Sequence, residues 1–169
     1  VVEDWQEMVI DDADSYLTSI REKQLPLDEA CAYTHMAYYL RWCVEHDLVS
    51  EEFLRRQQDI VNRLRQTPEA VNLRAFLREE LSGMLLLPLF SEDGQAFTLY
   101  YYDWEEPSYL SDLRQYALSA LSSELPAAED ARREAYLFLP CSEETYRAVA
   151  ALIEARWNDW AELGDAPEL

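Results

Sequence analysis

Glycine is nearly missing: three residues in a chain of 169. Loops that cradle phosphates need glycine where the backbone closes on the ligand, and GxGxxG, the P-loop pattern and GxSxG are all absent. Histidine is scarce too, with His35 and His46 the only two. No CxxC or HxxH accompanies them, so a four-ligand zinc framework is not written here. Lysine is reduced to Lys23. No apolar run approaches the roughly 18 residues of a membrane span. The longest, Met84 to Phe90, carries Pro88. These deficits exclude nucleotide-loop enzymes and a transmembrane helix. They leave no Ser-His-Asp or Cys-His arrangement with a base and an orienter. The chain is therefore read as non-enzymatic, with no catalytic residues, no metal and no cofactor.

What is present is apolar and acidic. Apolar residues make up 49% and aromatics 12%, enough for one sizeable core and too much for a disordered chain. Residues 1–169 are read as a single domain. Acids outnumber bases 34 to 14, for a net charge of −20. Residues 1–54 carry 13 acids and 3 bases, and residues 79–169 carry 19 and 5, whereas residues 55–78 carry 2 and 6. The basic island (Arg55, Arg56, Arg63, Arg65, Arg74, Arg78) is read as pairing with acids on helix surfaces. A field this negative repels nucleic acid and attracts basic protein surfaces. It also serves solubility alone. Cys31, Cys43 and Cys141 form no disulfide framework, which suits a reducing cytoplasm. Val1 to Trp5 show no signal-peptide pattern.

Hydrophobic periodicity predicts a mostly helical fold around a central helix over 27–48, with an α+β arrangement open as the alternative. Pro26, Asp28 and Glu29 mark its start. Tyr33, Met36, Ala37, Tyr38, Tyr39, Leu40, Trp42, Cys43 and Val44 make it apolar on most sides. Residues 1–14 read as an acidic arm or short helix, and 12–22 as a second short helix. Ser50 and Thr67 look like N-caps, Thr67 followed by Pro68. Gly83 looks like a C-cap. Small strands are expected near 84–102 and 135–139. Ser108 caps a helix, another runs from Ser142 to about Leu163, and 164–169 reads as a frayed tail. His35 is read as a core histidine.

The segment Tyr100 to Tyr109 stands out. Tyr102, Trp104 and Tyr109 are interface-type aromatics, interleaved with Asp103, Glu105 and Glu106, which would steer a basic partner. The competing reading puts the aromatics in the core and the acids in water.

Ala32 to Phe53 (AYTHMAYYLRWCVEHDLVSEEF) carries an Ala/Thr-His helix, a Leu-x-Trp step and a Ser-Glu-Glu helix start. Glu92-Asp93-Gly94-Gln95-Ala96-Phe97, Tyr100-Tyr101 and Tyr109-Leu110-Ser111-Asp112-Leu113 follow. In this the chain resembles a group of small bacterial proteins of uncharacterised-domain type, departing at Leu113, where an aromatic is expected. The aspartate-rich arm Asp11, Asp12 and Asp14 belongs to the same resemblance. Such proteins accompany polymorphic or contact-delivered toxins. The resemblance implies an immunity protein, an antitoxin that occludes a cognate toxin, with His35 and Trp42 as fold markers. The expected partner surface is Tyr102, Asp103, Trp104, Glu105, Glu106, Tyr109, Asp11, Asp12 and Asp14. A regulatory adaptor for a basic protein, or an acidic DNA mimic, is the alternative. Neither nucleic acid nor membrane is expected as a partner.

Overall fold

The computed structural model describes residues 8–102 and 106–165. Among them are nine α-helices and one two-stranded antiparallel sheet. The fold is mostly α, as the periodicity predicts.

Strand β1 (Val9–Asp12) runs straight into α1 (Ala13–Glu22). Asp12 is extended, and its carboxylate accepts from the Asp14 N–H at 3.0 Å, so the last strand residue is also the helix N-cap. Of the segment 1–14 read as an arm or short helix, residues 1–7 lie outside the described residues, 9–12 are strand and 13–14 open α1. The chain then makes a 3-10 turn at Glu29–Tyr33 before α2 (Thr34–Glu45), rather than one continuous helix from 27. Asp28 holds that turn by accepting from the Ala30 N–H at 3.2 Å. A tighter turn of this kind is common at helix starts. Helix α2 buries every residue except Arg41 and Glu45. A helix so apolar must lie in the middle, and the other elements pack around it.

Ser50 caps α3 (Glu51–Arg56), its hydroxyl accepting from the Phe53 N–H at 3.1 Å. Gln57, at φ −119 and ψ 33, breaks the run before α4 (Gln58–Gln66). The break lets Phe53 meet Phe76 while Val61 and Leu64 face α2. Thr67 does not cap a helix. Pro68–Ala70 forms a 3-10 turn, Val71 is extended, and Asn72 caps α5 (Leu73–Glu80) by accepting from the Ala75 N–H at 3.1 Å. Ser82 and Gly83 both adopt positive φ, 55 and 72. The Gly83 N–H closes α5 on the Leu77 carbonyl at 2.8 Å, and its own carbonyl accepts from the Ala13 N–H at 2.8 Å. Gly83 therefore ends a helix and starts β2 (Met84–Leu86).

Strand β2 pairs with β1, Asp11 opposite Leu85 and Asp12 opposite Met84. The strand expected over 84–102 stops there, because Pro88 enters a 3-10 turn and Ser91 caps α6 (Glu92–Tyr101). Ser108 caps α7 (Tyr109–Ala120), and α8 (Glu129–Arg133) interrupts the acidic connector. Residues 135–139 are not a strand. Ala135–Phe138 wind into a 3-10 turn that buries Ala135, Tyr136 and Leu137 against α7 and α2. Helix α9 (Glu143–Asp165) crosses α2, α6 and α7. Its Trp157 lies 5.1 Å from Phe97 and 5.9 Å from Trp42, ring to ring. Arg156 grips Asp112 with two bonds of 2.9 and 3.0 Å, and Asp112 also accepts from the Tyr101 hydroxyl at 2.7 Å.

The arginines of the basic island pair largely as expected: Arg56 with Glu52 at 2.8 Å, Arg65 with Asp47 at 2.5 Å and Arg78 with Glu79 at 3.0 Å. Such exposed pairs contribute roughly 0–1 kcal/mol each, so the core carries the stability.

Gly94 shows how tightly α6 is seated. The segment 48–50 meets 89–91, with the Ser50 N–H on the Leu89 carbonyl and the Ser91 N–H on the Leu48 carbonyl, both at 2.9 Å. A Cβ on Gly94 would lie 2.2 Å from that same Leu48 oxygen, which is backbone and cannot swing away. Gly94→Ala is expected to lower unfolding free energy by about 3 kcal/mol, the upper range of overpacking. Urea denaturation of the two proteins checks it. An unchanged midpoint would mean α6 is not seated this closely.

Candidate functional site

The nine residues singled out as a partner surface divide into buried, half-buried, exposed and undescribed. Asp103, Trp104 and Glu105 lie outside the described residues. The rest belong to two chain segments more than 80 residues apart, which the fold brings into contact.

The contact is built on Asp11. Strand pairing fixes its backbone opposite Leu85, leaving it 9% exposed. Its Oδ2 accepts from the Tyr102 hydroxyl at 2.6 Å and lies 3.2 Å from His35 Nε2. His35 sits in the first turn of α2, and Tyr102 is the residue just past α6. Tyr109, the first residue of α7, donates its hydroxyl to the His35 carbonyl at 2.6 Å. Rings close the cluster. Tyr16 meets His35 edge-on at 4.5 Å, Tyr136 lies 5.3 Å from it, and Tyr39 contacts Tyr102 at 4.9 Å and Tyr109 at 5.0 Å. Edge-to-face geometry of this kind adds about 0.5–1.5 kcal/mol per pair beyond area burial.

Burial pushes the Asp11 carboxyl up. Hydrogen bonding and charge from His35, with hydrogen bonds from Tyr102 and Tyr16, outweigh that and hold it below its ordinary range. Tyr102 is held well above the usual phenol range, first by burial and then by the Asp11 charge. Burial does the same to Tyr39 and Tyr109. These phenols remain donors, which suits a latch.

Tyr102 and Tyr109 are 1% and 0% exposed, so neither ring offers a partner any area. Their expected role as interface anchors is corrected: they are core. The reason is that α6 and α7 both pack on α2, which turns the aromatics on either side of their junction inward. Asp11 is likewise structural. The remaining acids do face outward. Asp14 and Glu106 are exposed, and Asp12 is half-buried while capping α1. Glu106 accepts from the Ser111 hydroxyl at 2.9 Å. The Asp11–Tyr102 bond thus holds the β1–α1 corner of Asp12 and Asp14 against the end of α6, while Glu106 is tied to the start of α7 through Ser111. Sequence reading missed the His35–Asp11 pair, whose members stand 24 positions apart with no local motif to join them. His46 lies against Trp42, stacked at 4.1 Å, and pairs with Glu154 at 2.9 Å. Among the described residues no three His, Cys, Asp or Glu side chains converge to hold a metal ion. No described helix is long and apolar enough to cross a membrane.

A family model described as a domain of unknown function, DUF7832, matches residues 9–128. The chain belongs to the DUF7832 family. The DUF7832 match begins at the first residue of β1 and takes in Asp11, His35, Tyr102 and Tyr109. It also takes in Gly94 and ends before α8, leaving α9 beyond it. No curated protein and no solved structure matches the chain.

Asp11→Ala would strand His35 Nε2 and the Tyr102 hydroxyl without their acceptor. The expected loss is about 3 kcal/mol, and Tyr102→Phe should cost about 1 kcal/mol. Because the Asp11 pKa is depressed from 3.8 on folding, its contribution is present above about pH 4 and fades as pH falls through the lower folded value. The stability gap between wild type and Asp11→Ala, from urea curves at pH 7 and pH 3, should therefore shrink in acid. A gap that widened in acid would reverse the assignment.

Proposed function

We propose that this chain is an immunity protein, binding a cognate bacterial toxin and neutralising it by occluding its active site or substrate surface. The observation that carries the reading is the Asp11–Tyr102 tie at 2.6 Å. It fixes the β1–α1 corner that carries Asp12 and Asp14 against the end of α6, in a chain of net charge −20. A preorganised acidic surface suits fast capture of a basic partner, since steering raises association rates and rigidity limits the ordering cost of docking. The resemblance at residues 32–53 and 92–113 supports the same reading. With Tyr102 and Tyr109 buried, the contact rests on acids around Asp14 and Glu106 rather than on those two aromatics.

The test is co-expression with the open reading frame immediately upstream in the source genome, scored by growth and co-purification. The expected result is a product that is toxic alone, tolerated with this chain and bound to it. A harmless or non-binding neighbour overturns the reading and favours an adaptor role. In the bound case, the double variant Asp14→Lys/Glu106→Lys should slow association about tenfold at low salt, with the difference closing at high salt. Stopped-flow association across ionic strength checks it, and equal rates would move the interface elsewhere.

A further inference from the structure

A cleft of about 390 Å³ opens between α2, the turn ahead of α5 and the start of α9. Tyr38, Arg41, Asn72, Arg74, Cys141 and Ser142 are on its walls. Its volume lies within the roughly 300–1,000 Å³ of small-molecule sites.

The two arginines differ sharply. Arg41 is fully matched: it grips Glu143 with bonds of 2.5 and 3.1 Å, reaches Glu45 at 3.2 Å and stacks 3.7 Å over the Tyr146 ring. Arg74 is half-buried, and its one hydrogen bond among the described residues is a long contact of 3.4 Å to the Thr34 hydroxyl. It forms no ion pair among them, in a chain with 34 acids. A guanidinium fork in a cleft, unmatched by carboxylate, is built to take a planar or tetrahedral oxyanion with two bonds. The neighbours agree. Asn72 uses its side-chain oxygen to cap α5, leaving its amide NH2 for a ligand. The Tyr38 hydroxyl is fixed, donating to the Pro140 carbonyl at 2.5 Å and accepting from the Ser142 N–H at 3.0 Å, so that wall is rigid. Burial pushes this phenol up to about 12, keeping it neutral beside an anion. The positive end of the 23-residue α9 borders the same space. Of the acids on the lining, Glu143 is neutralised by Arg41, and Glu69 stands exposed at the rim.

We propose that this cleft binds a small molecule bearing a carboxylate or phosphate group, with Arg74 as its bidentate anchor. The site is independent of any toxin and lies apart from the Asp14–Glu106 acids.

Cys141 is an exposed thiol on the lining and reports the cleft directly. Its thiolate displaces iodide from iodoacetate, an anion, and from iodoacetamide, a neutral molecule of similar size. The full-length chain is alkylated with each, and the rate at Cys141 is read by peptide mass spectrometry. Iodoacetate should be favoured at Cys141, and inorganic phosphate at constant ionic strength should remove the preference. Arg74→Gln should lower the iodoacetate-to-iodoacetamide ratio about tenfold, the scale of one charge-assisted contact. Arg74→Lys, which keeps charge without the fork, should fall between. A ratio indifferent to both phosphate and Arg74 overturns the proposal. So that a poorly folded variant cannot decide the matter, wild-type protein is also titrated with inorganic phosphate and with acetate by amide NMR. Saturable shifts at Thr34, Asn72, Arg74 and Ser142 support the site, and the tighter probe identifies the oxyanion class. Absence of saturable shifts with both probes overturns it.

Discussion

One carboxylate organises the middle of this molecule. Asp11 lies where a two-stranded sheet, the central helix and the α6–α7 junction meet, and it satisfies a polar group from each neighbour. A buried charge is tolerated only when it is paired and hydrogen-bonded, so every contributor must be in place together. That requirement fixes the register of β1. Sliding the strand by one residue would turn Asp11 to the opposite face and bring Asp12 in, and Asp12 is needed as the α1 cap. Asp11 and Asp12 together therefore specify the strand register and the start of α1. A two-stranded sheet this short has little stability of its own, which is why its anchoring to α2 matters.

Much of the helical frame was legible because it rests on local chemistry. Ser50, Ser108 and Ser142 each accept from a backbone N–H three residues on, and each is followed by the helix its position announces, whereas Ser91 caps a helix where a strand was expected. The central helix was legible because its apolar character leaves it no surface position. What was not legible depended on contacts remote in sequence. Residues 135–139 have strand-like composition, and only the space between α7 and α2 winds them into a 3-10 turn. Thr67-Pro68 has good capping chemistry, but Val71 is extended and Asn72 takes the role. The strand partner of 84–86 was hidden in an aspartate-rich segment whose alternation is only four residues long.

The candidate surface was misread in part for the same reason. Tyrosine serves equally as an interface anchor and as a core residue with a polar tip. Tyr102 and Tyr109 belong to the second kind, because Asp11 and the His35 carbonyl give their hydroxyls buried partners. No local pattern distinguishes the two cases, since the acceptors lie 91 and 74 positions away. Asp14 and Glu106 form no ion pair among the described residues and are exposed to water. Aromatic enrichment at Tyr102 and Tyr109 thus marked core rather than contact surface.

What a charged pair contributes in this chain depends on its burial. Exposed pairs such as Arg78–Glu79 neutralise each other in high dielectric and contribute little. Half-buried Asp112 gathers Tyr101 and Arg156, and so ties α9 to the body that the DUF7832 match describes. Glu45 and Glu143 likewise converge on Arg41, with the Tyr146 hydroxyl donating to Glu45, so α9 is fastened at its start as well as along its length. Two charge clusters and the Trp157–Phe97 contact thus dock a helix outside the family match onto the helices inside it. The cleft carrying Arg74 lies at that seam, between α5 and the first turn of α9. A site there draws Cys141, Ser142 and Glu143 from beyond the family match and the rest of its wall, Arg74 included, from within it.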